Sequence, residues 1–247
     1  MRLGGDTAAR QNALLDRIEA RFRGKIRAEI ARQMNAAAGI YAETGVVAPL
    51  YGHRDRIEAI YAEMAEASIR IFGFRVWEMA GRKGIARPER KSFAATMLNL
   101  ARQYVGLEAI RRRITQVAET TREQIINAVS LGYRDGLGQS GVAKLIRGSV
   151  PGLSSHRAAV IARTEAHGAA NYGAHGAAVE TGLDLRKEWI AAEDERTRPE
   201  HDAMNGRVIG MAERFDFGDY TLAYPGDPSG PPEGIINCRC ALGYVME

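Results

Sequence analysis

Apolar residues recur every three or four positions through most of the first 180 residues, the spacing of helices that hide one face. Between Thr7 and Ala38 the series Leu14, Leu15, Ile18, Phe22, Ile26, Ile30 and Met34 predicts a long amphipathic helix, with Asp6 or Thr7 as its N-cap. Gly45, Pro49 and Gly52 mark a loop within Gly39–Gly52. A second helix is expected from about Arg54 to Phe72, which Phe74, Val76 and Trp77 can continue. A helix or helix pair follows from Glu89 to Tyr133, with Leu98, Ala101, Val105, Ile110, Ile114, Val117, Ile125 and Val129 as its buried stripe. Gly136 and Gly138 close it, because glycine takes the left-handed conformation that ends helices. A short helix, Ser140–Ile146, precedes Gly148 and Pro151, and the domain boundary is expected between Gly136 and Pro151.

The next helix, Ser154 to Thr181, is rich in alanine and glycine. Glycine is costly inside a helix, so Gly168, Gly173 and Gly176 predict close backbone approach to another element. The same helix carries Arg163, Glu165, His167, Asn171 and His175, four of them spaced by four on one ridge. His167 and His175 lie about 12 Å apart along the axis, too far to share one ion. The expected role of this ridge is to hydrogen-bond an irregular segment folded over it.

After Gly182 the period shortens. Leu185–Ile190 reads as a strand, Arg207–Ile209 as another, and Ile235–Tyr244 as a last one. Pro199 opens a short helix through Met204, and Asn205-Gly206 is a strong turn dipeptide. The fold class is therefore α+β: a long-helical region, 1–139, then a small mixed domain with a short sheet, 140–247.

Charge sharpens this division. Residues 1–150 hold 25 Lys and Arg against 15 Asp and Glu (net +10), whereas 151–247 hold 9 against 15 (net −6). The basic half suits contact with nucleic acid or an acidic partner, although it lacks the interleaved aromatics that stack on bases. Two cysteines cannot build a disulfide framework, Met1 to Thr7 has no apolar signal-peptide core, and no apolar run is long enough to span a bilayer. Synthesis in a reducing cytoplasm and no membrane partner are the expectations.

Chemistry-bearing residues concentrate between Glu188 and Cys240. Cys238 and Cys240 could ligate one soft ion together with His201 and a fourth group, Asp194 or His167. The pair lacks the double CxxC of a zinc ribbon, so zinc is an alternative and no cofactor is required. His201 among Asp194, Glu195, Glu200 and Asp202 also permits an acid–base reading, a metal-dependent hydrolase or nuclease. No nucleophile or paired carboxylate is identifiable beside it, and the expectation is a non-enzyme. Tyr224–Pro232, with four prolines in nine residues, is expected to wrap the small domain as an extended segment.

Several blocks occur together and in order: Ala162-Arg163-Thr164-Glu165, Ala170-Asn171, Trp189, Asp194, Arg196-Thr197-Arg198, His201, Met204-Asn205-Gly206, Tyr224-Pro225-Gly226-Asp227-Pro228 and Asn237-Cys238-Arg239-Cys240. This pattern resembles the phage Mu protein F-like domain of minor head, or head morphogenesis, proteins, over about residues 140–247. The resemblance implies a low-copy virion component at the portal vertex or head interior. It implies head assembly and an effect on DNA packaging, retention or delivery, with portal or major capsid protein as partner. A DNA-binding internal virion protein is the alternative, through the basic N-terminal helices. The same domain also occurs joined to toxin domains, for which no room is expected here. The resemblance makes Arg163, Glu165, Asn171, Trp189, Asp194, Arg198, His201, Asn205, Gly206 and Asn237 the structural motif, with no catalytic residue among them.

Overall fold

Five long helices account for most of the chain in a computed structural model that describes residues 8–49, 52–82, 84 and 87–246. They are α1 (Ala8–Thr44), α2 (His53–Arg82), α3 (Arg90–Gly106), α4 (Glu108–Arg134) and α5 (Gln139–Glu180). The N-cap expected at Asp6 or Thr7 lies outside the described residues. On α1 the predicted stripe is buried from Leu15 to Met34, Ala37 and Ala38 continue it, and Tyr41 carries it past the expected end. α2 likewise runs through Phe74, Val76 and Trp77. Leu107 breaks the third pattern into a helix pair. On α3 the buried face is Phe93, Met97, Ala101 and Tyr104, while Leu98 is exposed. The sequence register there was ambiguous because apolar residues occupy adjacent positions.

α4 closes as glycine chemistry requires: Gly136 has φ +67°, and the Leu137 N–H donates to the Gly132 carbonyl at 2.9 Å. The expected interruption at Gly148 and Pro151 does not occur. α5 is continuous, with Pro151 inside it. Proline removes one donor and crowds the preceding turn, but Val142, Ala143, Ile146 and Val150 before it and Ala158 and Ala162 after it are buried in one core, so packing on both sides holds the helix together.

The chain forms two compact units, neither a single stretch of sequence. One contains α1 through Glu19, Ala62–Leu107 and everything from Arg163 onward. The other contains Ala20–Tyr61 and Glu108–Ala162, with Ile26, Ile30, Met34, Tyr41, Ile125 and Val129 joining the α5 residues named above in its core.

The first unit holds the sheet. β1 (Leu185–Ile190) is central, flanked antiparallel by β2 (Val208–Gly210) and β5 (Ala241–Met246), with Lys187 opposite both Ile209 and Tyr244. Alternation aims Leu185, Lys187 and Trp189 to one buried face. α6 (Pro199–Ala203) follows β1, β3 (Phe215–Asp216) and β4 (Thr221–Leu222) form a two-stranded ladder, and α7 (Pro232–Ile235) leads towards β5. The last strand begins at Ala241 rather than Ile235, because α7 and a turn occupy the residues before it.

The glycines of α5 perform the role their cost implied. A Cβ at Gly173 would lie 2.6 Å from Ile69 Cα on α2, one at Gly176 2.7 Å from Leu100 Cδ1 on α3, and one at Gly168 2.7 Å from the Gly226 carbonyl oxygen. Small residues let three neighbours approach the α5 backbone.

Candidate functional site

The polar ridge of α5 receives the C-terminal segment. His167 Nε2 lies 2.6 Å from the Cys240 carbonyl, which only accepts, so this nitrogen carries the proton. His175 Nε2 meets the Met211 carbonyl at 3.1 Å by the same logic, and the Asn237 N–H donates to Thr164 Oγ1 at 3.2 Å. Asn171 donates to the His167 carbonyl at 3.3 Å. Arg163 pairs with Glu19 of α1, which Arg239 also meets, at 3.4 and 3.5 Å respectively. Glu165 is buried on the same helix. Burial, only partly opposed by the Cys240 carbonyl, pushes His167 down to about 4, and burial lowers His175 as well. Both are neutral anchors at physiological pH.

The remaining motif residues shape the loops. Asp194 Oδ1 accepts from the Arg196 N–H at 3.0 Å and from the Thr197 hydroxyl at 3.2 Å, closing the turn before α6. Arg198 donates to the Ile236 carbonyl at 2.6 Å. Asn205 Oδ1 accepts from the Ala191 N–H, Gly206 turns at φ +76°, and its N–H donates to the Trp189 carbonyl at 2.8 Å. Trp189 itself is fully buried, edge-on to His201, Phe215 and Phe217 at 5.1–5.2 Å.

These loops bring His201, Cys238 and Cys240 together. His201 is buried in the middle of α6, and Asn237 takes a left-handed turn (φ +58°) immediately before the cysteines, a conformation asparagine tolerates. Neither cysteine lies in a strand as expected. Each sulfur nevertheless sits 3.6 Å from His201 Nδ1, and the three ligating atoms lie within 4.8 Å of one another. Among the described residues this is the one such group, and neither Asp194 nor His167 joins it. Asp194 is occupied by its turn, and His167 has Nε2 on the Cys240 carbonyl. The two thiols are coupled: a hydrogen bond from Cys238, against burial and with help from His201, brings Cys240 down to about 5, while sharing with Cys240 and burial push Cys238 well up. A cavity of about 360 Å³ adjoins them, lined also by Arg163, Asp194, Arg196, Arg198 and Arg239.

Sequence reasoning missed three parts of this region. Tyr220 reaches His201 Nε2 at 3.3 Å and stacks on Phe217 at 4.9 Å. Asp227 is buried and accepts from Arg214 at 2.9 Å, from the Ala223 N–H at 2.8 Å and from the Ser229 N–H at 2.9 Å, so Tyr224–Pro232 folds as a series of turns instead of an extended strap. The spacing Asp227-Pro228-Ser229 was the available signal, since aspartate binds the backbone two residues on. Lys187 is the third: it is buried on β1, donates to the Met211 carbonyl at 3.0 Å, and is lowered to about 8 by burial and then by Arg214.

Comparison with known proteins finds the same region. A family model described as phage Mu protein F like protein matches residues 108–243, starting at α4 and not near residue 140. The chain is 33% identical over 142 residues to minor head protein GP7 of Bacillus phage SPP1, covering 54% of this chain and 45% of that protein. It is 24% identical over 154 residues to an Enterococcus faecalis protein named NAD(+)–arginine ADP-ribosyltransferase EFV, covering 61% of this chain and 31% of that protein. The chain thus spans less than half the length of these relatives. No solved structure matches it. The match over more than half of the chain, on the segment whose motif residues build the clasp around α5, shows that this protein belongs to the phage Mu protein F-like family.

Proposed function

We propose that the chain is a phage minor head protein, acting without turnover in head assembly and in genome packaging or delivery, in contact with portal or major capsid protein at the portal vertex or head interior. The observation that carries this reading is the 33% identity to a protein named as a minor head protein. Two of the motif side chains are consistent with a structural role: Arg198 donates to the Ile236 carbonyl, and Asn205 holds the Ala191 N–H and Glu193. Mass spectrometry of purified intact heads tests it; the chain is expected there at low copy, and heads that lack it sink the assignment.

DNA contact is the second reading, favoured by the exposed Arg10, Arg17, Arg23 and Arg27 along α1. It requires affinity for duplex DNA that falls steeply with salt. The third reading is a metal-dependent hydrolase or nuclease centred on His201, which stands beside two thiols and a cavity; one relative, at 24% identity, bears the name of an enzyme. Such an enzyme would lose turnover in a folded His201→Ala variant.

A further inference from the structure

We propose that His201, Cys238 and Cys240 form a binding site for a soft divalent cation, Zn²⁺, with its fourth position facing the arginine-lined cavity. Four features of the residues support it, independently of the virion reading.

The first is donor chemistry: two sulfurs and one imidazole nitrogen are the ligand types zinc prefers. The second is spacing. Zn–S of 2.3 Å and Zn–N near 2.05 Å at a tetrahedral angle place sulfur and nitrogen about 3.6 Å apart, and both cysteine sulfurs lie 3.6 Å from His201 Nδ1. The third is the support behind the histidine. Nε2 faces the Tyr220 hydroxyl at 3.3 Å, and a proton donated there leaves the Nδ1 lone pair aimed between the sulfurs. Trp189 and Phe217 pack against the ring and fix its plane. The fourth is access: all three ligands are buried, yet all three line the cavity of about 360 Å³, which leaves room for water or an incoming donor.

The loops that present the ligands are anchored elsewhere. His167 holds the Cys240 carbonyl, Thr164 holds the Asn237 N–H, and Arg198 holds the Ile236 carbonyl. The cation therefore joins α6 to the segment before β5, two parts of the chain 37 residues apart. The cation binds cysteine as thiolate, so binding releases thiol protons and its affinity falls with falling pH.

The test uses the full chain without a histidine tag, purified under reducing conditions with no metal added. About one zinc per chain is expected by elemental analysis, and a strong chelator should lower Tm by about 5–10 °C, restored by Zn²⁺. Titrating the metal-free, reduced wild-type protein with Co²⁺ should give thiolate charge-transfer absorption that saturates at one equivalent. A Cys238→Ser/Cys240→Ser variant should lose the bound zinc; the wild-type titration stands alone if the variant does not fold. Metal well below stoichiometry with no thiolate absorption on Co²⁺ titration overturns the proposal, as does about one equivalent of zinc retained by the folded double variant.

Discussion

A buried histidine stands at the centre of a side-chain cluster in each compact unit, His53 in one and His201 in the other, and the two clusters are built on opposite chemistry. In the unit containing Ala20–Tyr61 and Glu108–Ala162, His53 donates from Nδ1 to Glu29 at 2.9 Å, and its Nε2 lies 3.4 Å from Thr121 Oγ1. The order carboxylate, imidazole, hydroxyl is that of a hydrolase relay, but the hydroxyl is fully buried and already engaged. It donates to the Val117 carbonyl at 2.8 Å and accepts from Arg157 at 3.1 Å. Glu29 also accepts from Arg32 at 2.7 and 2.8 Å, from Gln33 at 3.0 Å and from Arg56 at 3.3 Å. This cluster is hard and closed: charged oxygen and nitrogen partners satisfy one another. Around His201 the neighbours are thiols and aromatic rings, with a cavity alongside. A buried histidine becomes a strut in the first setting and a candidate ligand in the second, because the partners decide which lone pair is left over.

The largest effect that sharpens this contrast is expected from Glu29→Ala, which leaves His53, Arg32 and Arg56 without their shared acceptor. It should cost about 3 kcal/mol in urea unfolding. Cys240→Ser in metal-free protein should cost about 1 kcal/mol or less, since a hydroxyl of similar shape takes the place of the thiol. Equal losses would erase the distinction between the two centres.

Gly173→Ala comes next, at about 2 kcal/mol, because its Cβ would lie 2.6 Å from the Ile69 backbone, which cannot yield without moving α2. Thermal unfolding beside wild type measures it.

Acid separates the clusters further. Burial alone would raise Glu29, but hydrogen bonds from Arg32, His53 and Gln33 outweigh it and hold the carboxyl at about 2. The folded carboxyl is thus more acidic than the unfolded one. Its contribution is fully present above the unfolded value of 4.5 and is lost as pH falls through about 2. Screening at the half-exposed Arg32 and Arg56 limits this to roughly 2 kcal/mol. Stability curves of wild type and Glu29→Gln should therefore converge between pH 4.5 and 2, whereas a chelator should leave their difference unchanged; a gap that persists at pH 2 contradicts the assignment.

The smallest effect has the opposite sign. Gly39 lies inside α1 with nothing within 4 Å of where an added methyl group would stand, so Gly39→Ala should stabilise by about 0.5–1 kcal/mol. A gain at Gly173 comparable with that at Gly39 would show that helix propensity, and not close approach, governs the glycines.

The helices were legible because burial repeats with helical period, as Phe22, Ile26, Ile30 and Met34 show. The strand at Leu185–Ile190 and the anchoring role of the α5 ridge could also be read, since a polar ridge on a small-residue helix needs partners. His201, Cys238 and Cys240 were visible as residue types. Glu29, His53 and Thr121 were not, because they stand on three different helices, 24 and 68 residues from His53, and carry no local pattern.

By itself the amino-acid sequence determined the helical stripes, the turns at Gly136 and Asn205-Gly206, and the family pattern, all of which depend on short-range geometry or on residue order. Only the tertiary structure decided that α5 runs through Pro151, that α3 turns Met97 inward instead of Leu98, and that His201 and the two thiols gather without Asp194 or His167. Periodicity reports which face of an element is buried, whereas the rotation and separation that bring distant side chains within 3.6 Å are set by packing between elements.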